Sequence, residues 1–314
     1  MGKFIRTILF FFLFFGAVVW ALNDWMGKNN NEPEHYRKQF EEVVHRTFDA
    51  DGIIIGNSHA VHGIRPSILD RTGIRFYNLS LNGSNPSYYL HWYEEFFLRH
   101  YRKPKYVIYA VDFFSFSYKM SYRTLEDDSE YLPFVDVTRL MLLPGKFNAE
   151  KIIMNRFPLL KNGKAVIERK KKLHQDTFWR PEQYDRGFAA YETPVEASSF
   201  LVPHLPAELI DEAKEINAFN LLIDRIIADE TKVIFVVLPE NGIAKDEYAS
   251  STAIAHFQKV AAKHRIPMLN FNTALRSGLN EDRSNFNDWV HLNPKGSKAF
   301  SEMLADALEG ILGK

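Results

Sequence analysis

The stretch Ile53-Ile54-Ile55-Gly56-Asn57-Ser58-His59 decides how the rest of the chain is read. Three β-branched residues running into a turn of small residues have the pattern of a buried parallel strand that ends at a reactive loop. Ser58 is the candidate nucleophile. A serine hydroxyl attacks only when a base removes its proton, so the reading needs a histidine oriented by a carboxylate, near in space and free to be distant in sequence. Asp288-Trp289-Val290-His291 supplies such a pair: a spacing of three lets the carboxylate fold back on one ring nitrogen and leaves the other to face Ser58.

Composition narrows the alternatives. The 314 residues, 46% hydrophobic and 25% charged, suffice for one large core or for one core plus a substantial insertion. Lysine plus arginine equals aspartate plus glutamate at 39 each, so no global field draws the chain to nucleic acid, and no such partner is expected. Cysteine is absent, which removes disulfides, thiolate metal sites and cysteine nucleophiles together. No His/Asp/Glu cluster has ligand spacing, and neither a metal nor a cofactor is expected.

The N-terminus carries a targeting signal. Lys3 and Arg6 precede an apolar run from Thr7 to Leu22, which Phe4, Ile5, Trp25 and Met26 extend towards the roughly 20 residues of a bilayer span. The positive flank is expected to stay in the cytoplasm. The remainder is then extracytoplasmic, periplasmic in a bacterium, on a single-pass inner-membrane anchor. Val19-Trp20-Ala21 offers a small-x-small cleavage site, but the run exceeds the roughly 7 to 15 residues of a signal h-region, which favours a retained anchor. The division expected is 1–27 as anchor or signal segment, 28–47 as juxtamembrane linker and helix, and 48–314 as the main domain.

Five apolar, β-rich runs follow: Gly52 to Ile55, Phe76 to Leu79, Tyr106 to Val111, Val233 to Leu238 and Met268 to Phe271. Helical patterns at Tyr88 to His100, Glu208 to Asp229, Thr252 to His264 and Lys295 to Leu312 alternate with them, after a short amphipathic stretch from His35 to Arg46. That alternation predicts an α/β fold, a doubly wound, flavodoxin-like sheet of five parallel strands covered on both faces. Asn85-Pro86 and Asn293-Pro294 each read as an N-cap followed by proline in the first helical turn. From about 117 to 206 no strand pattern appears. A stretch of about ninety residues far exceeds the usual loop of about 4 to 6, so it reads as an insertion after the third strand. It contains Glu168-Arg169-Lys170-Lys171-Lys172, most simply a solvated helix face, and Phe178-Trp179-Arg180-Pro181.

In open α/β sheets ligands bind beyond the carboxyl ends of the strands. Ser58 follows the first strand, Asn82-Gly83-Ser84 the second and Asp112 the third, and Asp288 with His291 precedes the last helix. The sequence here resembles the SGNH, or GDSL-like, hydrolases. Gly56-Asn57-Ser58-His59 matches the nucleophile block, Asn78-Leu79-Ser80-Leu81-Asn82-Gly83 the block whose glycine amide serves an oxyanion hole, and Asp288 to Gly296 the Asp-x-x-His block. The resemblance implies an acyl-serine mechanism with Ser58, Asp288 and His291 as catalytic residues, and Gly83 with Asn82, Asn57 or Asp112 towards the oxyanion or substrate. The third block departs: Ala110-Val111-Asp112-Phe113 has an aspartate where the family has an asparagine donor. An ionised Asp112 would repel an oxyanion, so it is expected to be protonated or to have another role, with Asn82 or Asn57 supplying the donor.

The departure resembles membrane-anchored members of the family that serve cell-envelope glycan acylation beside a multi-pass membrane O-acyltransferase. The implied function is a serine esterase or O-acyltransferase on acyl esters of envelope glycans. The alternative is a catalytically weak polysaccharide-binding or scaffold partner of such an acyltransferase. His59 and His62 read as pocket wall, and Asn241 as a turn residue.

Overall fold

The computed structural model describes residues 2–28, 34–117, 123–143, 145–157, 184–190, 212–241 and 251–312. The chain divides into two compact units. One spans Met1–Pro33 and Leu125–Thr177, the other Glu34–Thr124 and Phe178–Lys314.

The second unit is built on five parallel strands: β1 (Gly52–Ile55), β2 (Phe76–Asn78), β3 (Tyr106–Ala110), β4 (Lys232–Val237) and β5 (Met268–Asn270). Their order is β2-β1-β3-β4-β5, the doubly wound arrangement expected. Ile53, Ile54 and Ile55 are buried on both faces of the sheet, which is why this strand is a continuous apolar run rather than an alternating one. Tyr106 to Tyr109 pair in register with Gly52 to Ile55 and with Lys232 to Phe235, so β3 lies at the sheet's centre. One face packs against helix Pro294–Leu312 through Phe300, Leu304 and Leu308. The other carries an aromatic cluster in which Phe219 meets Tyr109, Phe235 and Phe257.

Asn85 caps helix Pro86–Trp92 by accepting from the Tyr88 N–H, and Asn293 accepts from the Gly296 N–H at the start of the last helix. The helix from Pro86 runs on through one widened π turn, Tyr93–Phe97, to His100. Helix Ala213–Ala228 begins inside the interval read from sequence, and 208–211 lie outside the described residues.

The stretch read as a juxtamembrane linker and helix forms helix Glu34–His45. Helix Glu34–His45 buries Tyr36, Phe40 and Val43, and the Gln39 amide donates to the carbonyls of Asn78 and Gly187. The sheet unit includes this helix from Glu34 on, and three apolar side chains on one helical face gain more from the core than from water.

In the first unit, Gly2–Lys28 is helical, and its 21-residue part Gly2–Leu22 is long and apolar enough to cross a membrane, a test that a signal sequence also passes. Helices Phe134–Met141 and Ala149–Arg156 lie in the stretch read as an insertion. Its described residues contain no strand; Asp185 and Phe188 form an antiparallel bridge, and the 168–172 and 178–181 motifs fall outside the described residues. Tyr184 to Ala190 belong to the sheet unit: Asp185 accepts from Ser67, and the Ala189 carbonyl lies 2.7 Å from His62 Nδ1.

Candidate active site

Every strand delivers one piece to the carboxyl rim. After β1 the chain turns at Gly56, where a Cβ would sit 2.7 Å from the Ala110 Cβ on β3; only glycine fits that approach. The turn leads into helix Ser58–Gly63, whose first residue is Ser58. The loop after β2 bends at Gly83, whose φ of 70° is in the left-handed region. Two hydrogen bonds tie this loop to the nucleophile turn: Ser84 Oγ donates to the Gly56 carbonyl at 2.9 Å and Tyr89 Oη donates to the same oxygen at 2.6 Å.

The loop before the last helix folds for local reasons. Asp288 Oδ1 accepts from the backbone N–H groups of Val290 (2.9 Å) and His291 (2.7 Å), so the Asp-x-x-His spacing closes on itself as an Asx turn. A bridge between Phe286 and Leu292 pins its ends, and Asn241 N, after β4, donates to the Trp289 carbonyl at 2.8 Å. Asn241 is thus more than a turn residue; it is a buried strut for the histidine loop.

Ser58 and His291, 233 positions apart, meet at this rim. His291 Nε2 lies 2.8 Å from Ser58 Oγ, and His291 Nδ1 lies 2.7 Å from Asp288 Oδ2. A carboxylate only accepts, so the ring proton belongs on Nδ1, which leaves Nε2 as acceptor for the serine proton. Burial disfavours the Asp288 charge, but the His291 ring and the two backbone N–H groups outweigh it and hold its pKa below the usual carboxylate value. The Asp288 and His291 side chains are 22% and 21% exposed, open enough for a substrate to reach.

The remaining site residues take different positions. Gly83 precedes Ser84, whose Oγ meets the Gly56 carbonyl, and the Gly83 carbonyl accepts from Arg123 N at 2.9 Å. The Asn82 N–H donates to Tyr36 Oη at 2.9 Å and its side chain faces His62. Asn57 Oδ1 accepts from His59 N at 3.0 Å, and its Nδ2 donates to Asp112 Oδ2. The carboxamide read from sequence as a possible oxyanion donor is thus tied to Asp112 through one of the two N–H groups of its Nδ2. Asp112 is 3% exposed; burial pushes its pKa up to about 6 against the hydrogen bonds from Asn57, Ser115 and the Phe114 N–H that favour its charge.

His59 and His62 line the floor under His291, with ring centroids 5.2 Å and 6.0 Å from it. Burial, with the neighbouring His291 ring opposing a second positive charge, pushes His59 well below the usual histidine pKa and His62 down to about 4, so both are neutral at neutral pH. Sequence reading missed Glu240, wholly buried after β4 with Oε1 4.0 Å from His59 Nδ1. Its place directly after a buried strand, on the rim that carries Ser58 and Asp112, was the available signal. Among the described residues no group of three or more His, Asp or Glu could hold a metal ion.

No family model matches the sequence, and no curated protein matches it. The chain is similar in fold to solved lipases. A GDSL-like lipase from Bacteroides thetaiotaomicron aligns over 88% of this chain and 99% of its own at 11% identity, with a TM-score of 0.41. A lipase/acylhydrolase from Enterococcus faecalis aligns over 83% and 96% at 11% identity, with a TM-score of 0.39.

Proposed function

We propose that the chain is a serine hydrolase of the SGNH/GDSL-like type, acting on acyl esters through an acyl-serine. The reading rests on one observation, the continuous relay Asp288–His291–Ser58 with contacts of 2.7 and 2.8 Å. His291 Nε2 takes the Ser58 proton as Oγ attacks the ester carbonyl carbon. The carbonyl π bond opens to an oxyanion, and the N–H groups of Ser58 and Gly83 are its donors. Collapse breaks the ester C–O bond, and His291 returns the proton to the departing alcohol. Water, or a sugar hydroxyl, then attacks the acyl-serine by the same route in reverse.

The acceptor decides between hydrolysis and transfer. The apolar Gly2–Leu22 helix supports a place on the outer side of a cytoplasmic membrane, and with the motif blocks it supports acyl esters of cell-envelope glycans as substrates, beside a membrane O-acyltransferase. The test is labelling of the full chain with a fluorophosphonate. Adduct at Ser58, lost in Ser58→Ala together with hydrolysis of a short-chain acyl ester, is expected. A wild-type chain that stays unlabelled yet binds acylated glycan would replace the enzyme with the binding-partner reading.

A further inference from the structure

We propose that Asp112 is a positioning residue for Ser58, acting through the carboxamide of Asn57. The inference rests on the hydrolase reading and gives a role to the one residue at the rim that departs from the family pattern.

Helix Ser58–Gly63 has six residues, too short for its own hydrogen bonds to define its direction. Its start is held instead by Asn57, whose Oδ1 caps the His59 N–H at 3.0 Å. That carboxamide is in turn held from behind by Asp112, which accepts from Asn57 Nδ2. Asp112 has little freedom of its own: Oδ1 accepts from Ser115 Oγ at 2.9 Å and from Phe114 N at 3.2 Å, and its backbone N–H donates to Ser115 Oγ at 3.1 Å. The chain Phe114/Ser115–Asp112–Asn57–helix start therefore runs from the end of β3 to the nucleophile, one residue short of Ser58.

A carboxylate suits this task better than a neutral acceptor, because it binds the amide N–H with a charge-assisted bond. The charged and titratable groups around it do not compete for the bond. His59 Nδ1 is 3.8 Å away but neutral, Glu240 lies beyond His59, and Tyr109 on β3 faces Asp112 with its phenol kept protonated by burial. Loss of the acceptor would free the carboxamide to turn, and with it the residue that must stay 2.8 Å from His291 Nε2. A misplacement of about 1 Å at a reacting group is enough for a loss of order 100-fold.

The test reverses the polarity of the pair in the full chain. Asn57→Asp alone sets two carboxylates against each other, and kcat and the rate of fluorophosphonate labelling are expected to fall about 100-fold, with KM changed less than about threefold. Adding Asp112→Asn restores one donor and one acceptor with their places exchanged, and the N57D/D112N chain is expected to recover to within about tenfold of wild type. A folded double variant no faster than Asn57→Asp overturns the proposal, as does an Asn57→Asp chain within about twofold of wild type. If Asn57→Asp loses its cooperative melt, the double variant still decides: folded with near-wild-type labelling supports the strut, folded and slow refutes it. An unlabelled wild type sinks the hydrolase reading and this inference together, whereas a labelled wild type without rescue sinks only the strut.

Discussion

Asp112 and Asp288 stand on the same rim of the same sheet, and their surroundings drive their charges in opposite directions. Asp288 is 22% exposed, caps two backbone N–H groups and faces an imidazole, so its pKa falls below the usual value. The Asp112 side chain is 4% exposed; its neighbours donate hydrogen bonds but no cation among the described residues answers it, and its pKa rises to about 6. Hydrogen bonds favour both carboxylates, and desolvation decides the sign of the difference. The aspartate bonded to His291 keeps some water, while the aspartate bonded to Asn57 is sealed away.

Substitution tests that contrast, starting with the largest effect. Ser58→Ala and His291→Ala are each expected to lower kcat by about 10⁶-fold in ester hydrolysis, as removal of a relay member does elsewhere. Asp288→Asn keeps the shape but loses the anion and is expected to cost about 10⁴-fold. Asp112→Asn, which retains an acceptor for Asn57, is expected to cost no more than about tenfold. Equal losses for the two Asp→Asn changes would erase the distinction between them. Gly83→Val forces a β-branched residue to a φ of 70°. Its expected loss in kcat is about 10²-fold if the N–H there serves the oxyanion, read against Ser84→Ala, which leaves that N–H in place.

Stability against pH gives the smallest and sharpest test. Asp112 has a folded pKa raised to about 6, so its contribution is most favourable below the unfolded carboxylate value near 4 and is lost as pH rises through 6. The wild-type minus Asp112→Asn stability difference, from denaturant melts, should therefore fall by about 2 kcal/mol between pH 4 and 6.5. His62, lowered to about 4, acts with the opposite sign: its neutral form is favoured in the fold, and stability is lost as pH falls from about 6.5 towards 4. The wild-type minus His62→Gln difference should rise with pH over the same window, by a similar amount. Parallel slopes for the two variants would show that burial does not set these two charges.

Much of this arrangement was legible in the chain. Each strand was readable to within a residue or two, because strands buried on both faces of a parallel sheet are unbroken β-branched and aromatic runs. Asn85-Pro86 and Asn293-Pro294 announced helix starts for purely local reasons. Other features left no local mark. The helix Glu34–His45 reads as amphipathic whether its apolar face meets a core or a membrane surface, and the docking of Tyr36 and Gln39 against the sheet unit distinguishes them. Glu240 looks like any polar residue after a strand until burial beside His59 is seen.

The sequence by itself determined what acts within a few residues: the hydrophobic period of each element, the caps, the glycine at the left-handed turn of residue 83, and the Asx turn that brings Asp288 to His291. Tertiary structure alone decided what requires distant segments to meet. It brought Ser58 under His291 from 233 positions away, engaged Asn57 with Asp112 from 55 away, and sealed one aspartate from water while leaving the other partly wet. The physical reason is range: backbone geometry and capping are settled by neighbours along the chain, whereas desolvation and side-chain pairing depend on whatever the fold brings near.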